Sequence, residues 1–404
     1  MKRCNENIGI TLIALVVTIV VLLILSGISI NMLTGQNGIL NRTREAKERT
    51  LTSQQEEQNI IKSYEDQMSN YVGIDWENVK ANAKAPDEQK EERNNGVIGI
   101  GTDGKTVNMD LWEYKKIENG YALSCEGSLD ASNKVAGYKG KIENGKIETC
   151  IPMYIKDTQN GDQNFTEVVS LRDTFFGVED MKYPPIIPYT VDSLFETFQG
   201  CVSLEKMPII PQNVTDMTST FYNCQSLKEL SDISDNVLKL DYCFYNNAIT
   251  NVNISLGKKV TTMKETFSGC KQLENFYSEL PENVANLQQT FAHCEKLVKA
   301  PNIPYGVKSM CATFQYCYLL ESPPKEIPET VENLQWAFQN CYILNGKIEI
   351  NGCKGNILSN GNYDYAGIFV GACTNSQLTL TRNKSDAILN DILKDANNSN
   401  ITTL

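Results

Sequence analysis

Two stretches of this sequence have the residue types and spacing of a reactive site. Gly99, Gly104, Lys105 and Thr106 fit the G-x-x-x-x-G-K-T of a phosphate-binding loop, and Gly99, Gly101 and Gly104 fit G-x-G-x-x-G. Either loop holds phosphate only when a helix follows, because the helix's free N–H groups and dipole meet the anion. Here Val107, Met109 and Leu111 alternate with Asn108, Asp110 and Trp112, a period of two that spells a strand. Asp103-Gly104 then reads as a hairpin turn in which glycine supplies the positive φ. The second candidate is the set of 13 cysteines, which could be metal ligands or disulfides. No C-x-x-C pair occurs, and a single histidine removes most mixed His/Cys zinc sites and most His-dependent catalysis. The sequence therefore assigns no catalytic residue, no metal and no cofactor, and the expectation is a protein that is not an enzyme.

The cysteines take their meaning from a repeat. Phe175, Phe198, Phe221, Phe244, Phe267, Phe291, Phe314 and Phe338 follow one another at 23 or 24 residues. Three residues beyond most of them stands a cysteine: Cys201, Cys224, Cys270, Cys294, Cys317 or Cys341. Three further on stands a leucine, from Leu204 to Leu344, and then a valine, from Val191 to Val331, with Leu or Met three after it. Such a period indicates a solenoid, since one short coil cannot bury its apolar face alone but stacked coils share a core. Each repeated position then forms a column, with cysteine as a small buried filler held as a reduced thiol. His293 falls between Phe291 and Cys294, where other coils carry Gly200, Asn223, Gly269, Tyr316 and Asn340. That is a turn position.

The pattern F-x-x-C-x-x-L followed by I-P-x-x-V-x-x-M/L, clearest from Phe198 to Met217 and Phe291 to Met310, resembles the BspA-like leucine-rich repeats of bacterial surface proteins. The resemblance covers about residues 168–350. Asn247 replaces cysteine after Phe244, and Val178 does so after Phe175. The resemblance implies a cell-surface protein whose repeats bind other macromolecules.

Ahead of the repeats, no charged side chain occurs between Glu6 and Arg42. Ile10 to Ile30 is apolar over some 21 residues, which as a helix rises about 31 Å, the thickness of a bilayer's hydrocarbon core. Lys2 and Arg3 place the short N-terminus in the cytoplasm and the remainder outside. Lys2, Arg3, Gly9 and Ile10-Thr11-Leu12-Ile13 also resemble the leader and first mature residues of type IV prepilins and pseudopilins. That resemblance implies cleavage after Gly9. It also implies a glutamate where Ala14 stands, a residue that helps subunits join a filament.

The organisation expected is α+β. A cytoplasmic leader (1–9), a transmembrane helix (10–32) and a helical stalk (33–77) precede a charged linker (78–96). A small β-rich module (97–167), with a second hairpin turn at Asn144-Gly145, leads into a leucine-rich-repeat solenoid of stacked parallel strands (168–350). An atypical last repeat and cap (351–404) ends in a short amphipathic helix over Ser385–Ala396. A net charge of −12 and a pI near 4.9 exclude the basic face that nucleic-acid binding needs. Partners expected are the membrane, through residues 10–32, and an extracellular protein or glycan. Pilus or secretion machinery is a further candidate through the leader. The strand after each leucine supplies the candidate ligand face: Lys206, Glu229, Asn275, Lys299 and Ser322.

Overall fold

The computed structural model describes residues 76–82, 97–124, 136–159, 161–162, 164–382 and 387–403. All lie in the unit Ile74–Leu404. The expected leader, with Gly9, and the expected membrane span, 10–32, fall outside these residues. Among the described residues, no helix is long and apolar enough to cross a membrane. The fold is mostly β, with few helices.

The two Gly-containing dipeptides make the turns their chemistry dictates. Asp103-Gly104, with Gly104 at φ +75°, joins β1 (Val97–Gly101) to β2 (Thr106–Val107). Asn144 and Gly145, at φ +52° and +78°, join β5 (Ile142–Glu143) to β6 (Lys146–Ile147). The strand expected to continue through Leu111 stops at Val107. The Asn108 side chain accepts a hydrogen bond from the Asp110 N–H (3.0 Å) and starts a 3₁₀ turn, Met109–Leu111. A side chain that bonds its own backbone two residues on competes with the ladder. With β3 (Lys115–Ile117), β4 (Gly120–Ala122), β7 (Pro152–Asp157) and β8 (Thr166–Ser170), a six-stranded sheet forms in the order β2-β1-β7-β8-β4-β3. Helix α1 (Trp76–Asn82) extends into the expected 78–96 linker, and its Lys80 ammonium lies 4.2 Å from the Tyr154 ring centroid on β7.

Beyond β8 the chain winds in coils, one per phenylalanine. Ser170, at the end of β8, begins an unbroken series of parallel bridges through Ser193, Asp216, Lys239, Thr262, Asn286, Ser309 and Asn333. From Ser193 on, each rung lies two residues after a repeat valine. The leucine side, expected to carry the strands, is interrupted. It pairs Lys206 with Glu229, β9 (Asn251–Val252) with β10 (Asn275–Phe276), and Lys299 with Ser322. Only near the end does it widen into a parallel sheet of β11 (Glu326–Ile327), β12 (Gly346–Ile350), β13 (Leu378–Thr381) and β14 (Ile401–Thr403).

Inside, the phenylalanines stand in file. Nine rings, Phe175 to Phe338 and then Phe369, are fully buried. Neighbouring ring centroids are 5.3–5.7 Å apart and within 13° of parallel. Two polar columns run beside them. Each repeat cysteine from Cys201 to Cys341 donates its thiol hydrogen to the carbonyl of a phenylalanine in the preceding coil, at 3.1–3.2 Å. The threonine before most phenylalanines does the same with its hydroxyl. Thr197, Thr220, Thr266, Thr290 and Thr313 bond the carbonyls of Leu171, Leu194, Leu240, Met263 and Leu287 at 2.8–2.9 Å. Buried polar groups are tolerable only when so paired.

Both ends of the file are covered. Trp112 and Tyr138 set their rings against Phe175, with centroids 6.1 and 5.8 Å away. At the other end, α2 (Ala387–Ala396) buries Leu389 and Ile392, and its Asp395 accepts the Gly367 N–H at 2.6 Å. Of the expected helix Ser385–Ala396, Ser385 lies outside the described residues. One apolar core runs from Val97 through the coils to Ile401, so the N-terminal sheet and the repeats are packed as one body.

Candidate binding surface

The phosphate-loop spacing makes no phosphate site. β1 turns directly into β2, with no helix after Lys105, and Lys105 pairs with Asp103 at 3.5 Å. The glycines answer to packing instead. A Cβ at Gly99 would run into Met109 Sδ, and one at Gly101 would meet Val107 Cγ2 at 2.9 Å.

The described cysteines are free thiols. Burial pushes the repeat thiols upward, Cys270 up to about 12 and Cys294 and Cys341 well above their ordinary value. Protonated, buried thiols are neither nucleophiles nor ready metal ligands. Among the described residues, no group of three His, Cys, Asp or Glu side chains is placed to hold a metal ion.

The five slots after the repeat leucines sit at the surface in separate pairs. Lys206 and Glu229 are exposed and bridged, and so are exposed Lys299 and half-buried Ser322. Half-buried Asn275 lies opposite Asn251 and donates to its side-chain oxygen at 2.9 Å. Lys206 also lies 5.7 Å from the Tyr183 ring, which Lys146 approaches at 5.6 Å. No continuous row forms, because Glu229 and Asn251 are not bridged.

The valine-side rungs are occupied by the fold itself. Asp216, Asn286 and Asn333 each accept the N–H two residues on at 2.9–3.0 Å, and Ser193 and Ser309 do so at 3.4–3.5 Å. These side chains hold the chain's bend and leave little for a ligand.

A different group gathers on the outside of the phenylalanine bend. His293 stacks on Tyr316 (4.5 Å, 20°) and Tyr316 meets Tyr318 edge-on (6.2 Å). Tyr318 in turn stacks on Tyr342 (5.1 Å). His293 and Tyr342 are exposed, as is neighbouring Leu319. His293 and Tyr316 occupy the second residue after phenylalanine, at φ +59° and +61°. Equivalent residues are Gly177, Gly200, Asn223, Asn246, Gly269 and Asn340, types that take a left-handed backbone at least cost. An aromatic side chain there costs the fold about 1–3 kcal/mol. The imidazole stays neutral at pH 7, since partial burial and then the Lys271 ammonium push it below its ordinary value. The register of the sequence marks this slot as a turn but hides the run of rings, whose members come from two different slots of the repeat.

Against known proteins, residues 194–321 match the family description "BspA type Leucine rich repeat region" in six copies. No curated protein matches the sequence. Among solved structures, the chain is similar to a leucine-rich repeat protein from Bacteroides ovatus ATCC 8483. The two are 20% identical over 68% of this chain and 71% of that one, with a TM-score of 0.45. The repeats stacked between Leu194 and Glu321 are thus similar to leucine-rich repeats of the BspA type.

Proposed function

We propose that this chain is a membrane-anchored extracellular binding protein whose solenoid of leucine-rich repeats presents a face to a macromolecular ligand. The apolar segment 10–32 is the anchor, with the leader 1–9 in the cytoplasm and the repeats outside. The aromatic run His293–Tyr316–Tyr318–Tyr342 carries the reading. Two of its members sit where the fold prefers glycine or asparagine, and backbone cost accepted at the surface points to function. Tyrosine brings a large, stiff, amphipathic contact at low entropic cost, which is why it dominates binding faces. His293 with Tyr316, and Tyr318 with Tyr342, each cover one face of the other, so edges, hydroxyls and the imidazole meet the ligand, a protein or glycan surface.

The test is a double substitution, His293→Asn with Tyr316→Asn, which gives both coils the residue that Asn223 and Asn340 already place in this slot. The full chain, immobilised, is screened against extracellular-matrix proteins and a glycan array, and the variant is measured on every hit. The variant should keep or gain stability while losing binding. Equal binding by both proteins overturns the assignment of the face.

A second reading follows from Lys2, Arg3 and Gly9. The chain would be a minor pilin or pseudopilin that displays its repeats on a filament after cleavage behind Gly9. Ala14, in place of glutamate, weighs against assembly. Purified surface filaments that contain the chain would favour this reading, and retention in the membrane fraction the first.

A further inference from the structure

The coils are not equally joined. Around Phe244 three columns change at once. Cys243 takes the threonine slot, Asn247 the cysteine slot and Thr250 the leucine slot. Asn247 is 4% exposed, and neither its Nδ2 nor its Oδ1 has a hydrogen-bond partner. Thr250 is exposed, and Ile249 and Val252 fill the core in its place.

The main chain loses its joint at the same point. Between the Phe198 and Phe221 coils, the N–H groups of Ser226 and Lys228 donate to Val202 and Glu205 at 3.1 and 3.0 Å. Between the Phe244 and Phe267 coils, those of Glu274 and Tyr277 donate to Thr250 and Val252 at 2.9 and 2.8 Å. Between the Phe221 and Phe244 coils, no main-chain hydrogen bond joins 224–229 to 247–252, and the main chains meet again on this side only at Ile233, whose N–H donates to the Ser255 carbonyl at 2.9 Å. The valine side is intact there, with Met217, Ser219, Phe221 and Asn223 donating to the next coil at 2.8–3.1 Å.

We infer that the leucine side between the Phe221 and Phe244 coils is a built-in seam, at which the stack opens first and divides into two cooperative blocks. Three causes act together there: a carboxamide desolvated without partners, a missing thiol bond to Phe221, and a missing run of coil-to-coil bonds. Each weakens the same joint, and unfolding units part where coupling between neighbours is lowest. The N-terminal block holds the sheet and the Phe175, Phe198 and Phe221 coils. The C-terminal block holds the Phe244 to Phe369 coils with the whole aromatic run, so opening at the seam re-aims those rings relative to the sheet.

Native-state hydrogen exchange on the full chain, read by mass spectrometry at rising sub-denaturing urea, tests the seam. Amides of the Phe198 and Phe221 coils should lose protection at a different urea concentration from those of the Phe291 and Phe314 coils. The boundary should lie at 224–252. In Asn247→Cys, whose thiol is placed to reach the Phe221 carbonyl, protection on both sides of the boundary should rise at least about tenfold. The two losses should also draw together. Simultaneous loss of protection throughout the wild-type coils, or a boundary elsewhere in the stack, overturns the inference whether or not the variant folds.

Discussion

Phe291→Ala probes the shared core at a position where three other rings converge. Phe291 stacks between Phe267 and Phe314, at 5.7 and 5.5 Å, and Phe276 meets it edge-on at 5.0 Å. Truncating a buried phenylalanine costs about 3–5 kcal/mol, because transfer free energy is lost and a cavity remains. Three ring partners leave little freedom for the site to collapse, so the loss should fall in the upper half of that range. Urea unfolding followed by circular dichroism gives the total, and hydrogen exchange gives its location. Protection should fall most in the Phe267, Phe291 and Phe314 coils and least in the Phe198 coil, which is separated from the site by three coils and the seam. A loss below about 1.5 kcal/mol, the cost of a mere methyl deletion, would refute the shared column. Protection lost evenly from one end of the chain to the other would also refute it.

Thr290→Val removes the hydroxyl that bonds the Met263 carbonyl at 2.8 Å and should cost about 1–2 kcal/mol in the same urea assay. Trp112→Ala uncovers the first ring of the file and should cost about 3–5 kcal/mol, with exchange rising first in the Phe175 coil. In a thiol-labelling time course on the native protein, half-buried Cys150 and Cys311 should react before Cys201, Cys224, Cys270, Cys294, Cys317 and Cys341. Hydrogen bonds from Lys116 and then Tyr121 hold the Asp162 carboxyl below its ordinary value. Its contribution to stability is therefore present above about pH 4, the unfolded carboxylate range, and lost as pH falls through the lower folded value. Urea midpoints across that acid range should fall less steeply in Lys116→Met than in the wild type.

The repeat was legible because burial repeats with it. A coil that buries phenylalanine, cysteine and leucine at fixed slots writes those columns into the sequence, and each of them appears in the core. The Asn144-Gly145 and Asp103-Gly104 turns were legible because a positive φ narrows the choice of residue. The 3₁₀ turn after Val107 was not, since the alternation of Val107, Met109 and Leu111 conceals the local bond from Asn108. The valine-side rungs escaped for a related reason. Ser193, Asp216 and Asn286 look like solvated residues until their bonds to the backbone two residues on are seen. The threonines before Phe198, Phe221, Phe267, Phe291 and Phe314 were visible in the same register and carry their own column. The run from His293 to Tyr342 was hidden by its mixed slots, because only the curl of the bend brings second-position and fourth-position residues together. Among the proposed ligand slots, the seam at Asn247 separates Lys206 and Glu229 from Asn275; the repeat register marks the odd coil by Asn247 but does not show the coil-to-coil bonds that go with it.

The most direct measurement compares binding and stability in one pair of proteins. The full wild-type chain and the His293→Asn/Tyr316→Asn variant are titrated on the matrix proteins and glycans of the screen, and both are melted in parallel. Saturable binding by the wild type is expected, with its loss in a variant that melts at the same temperature or higher. Undiminished binding by that variant, or no binding by the wild type to any protein or glycan presented, would contradict the assignment of the face.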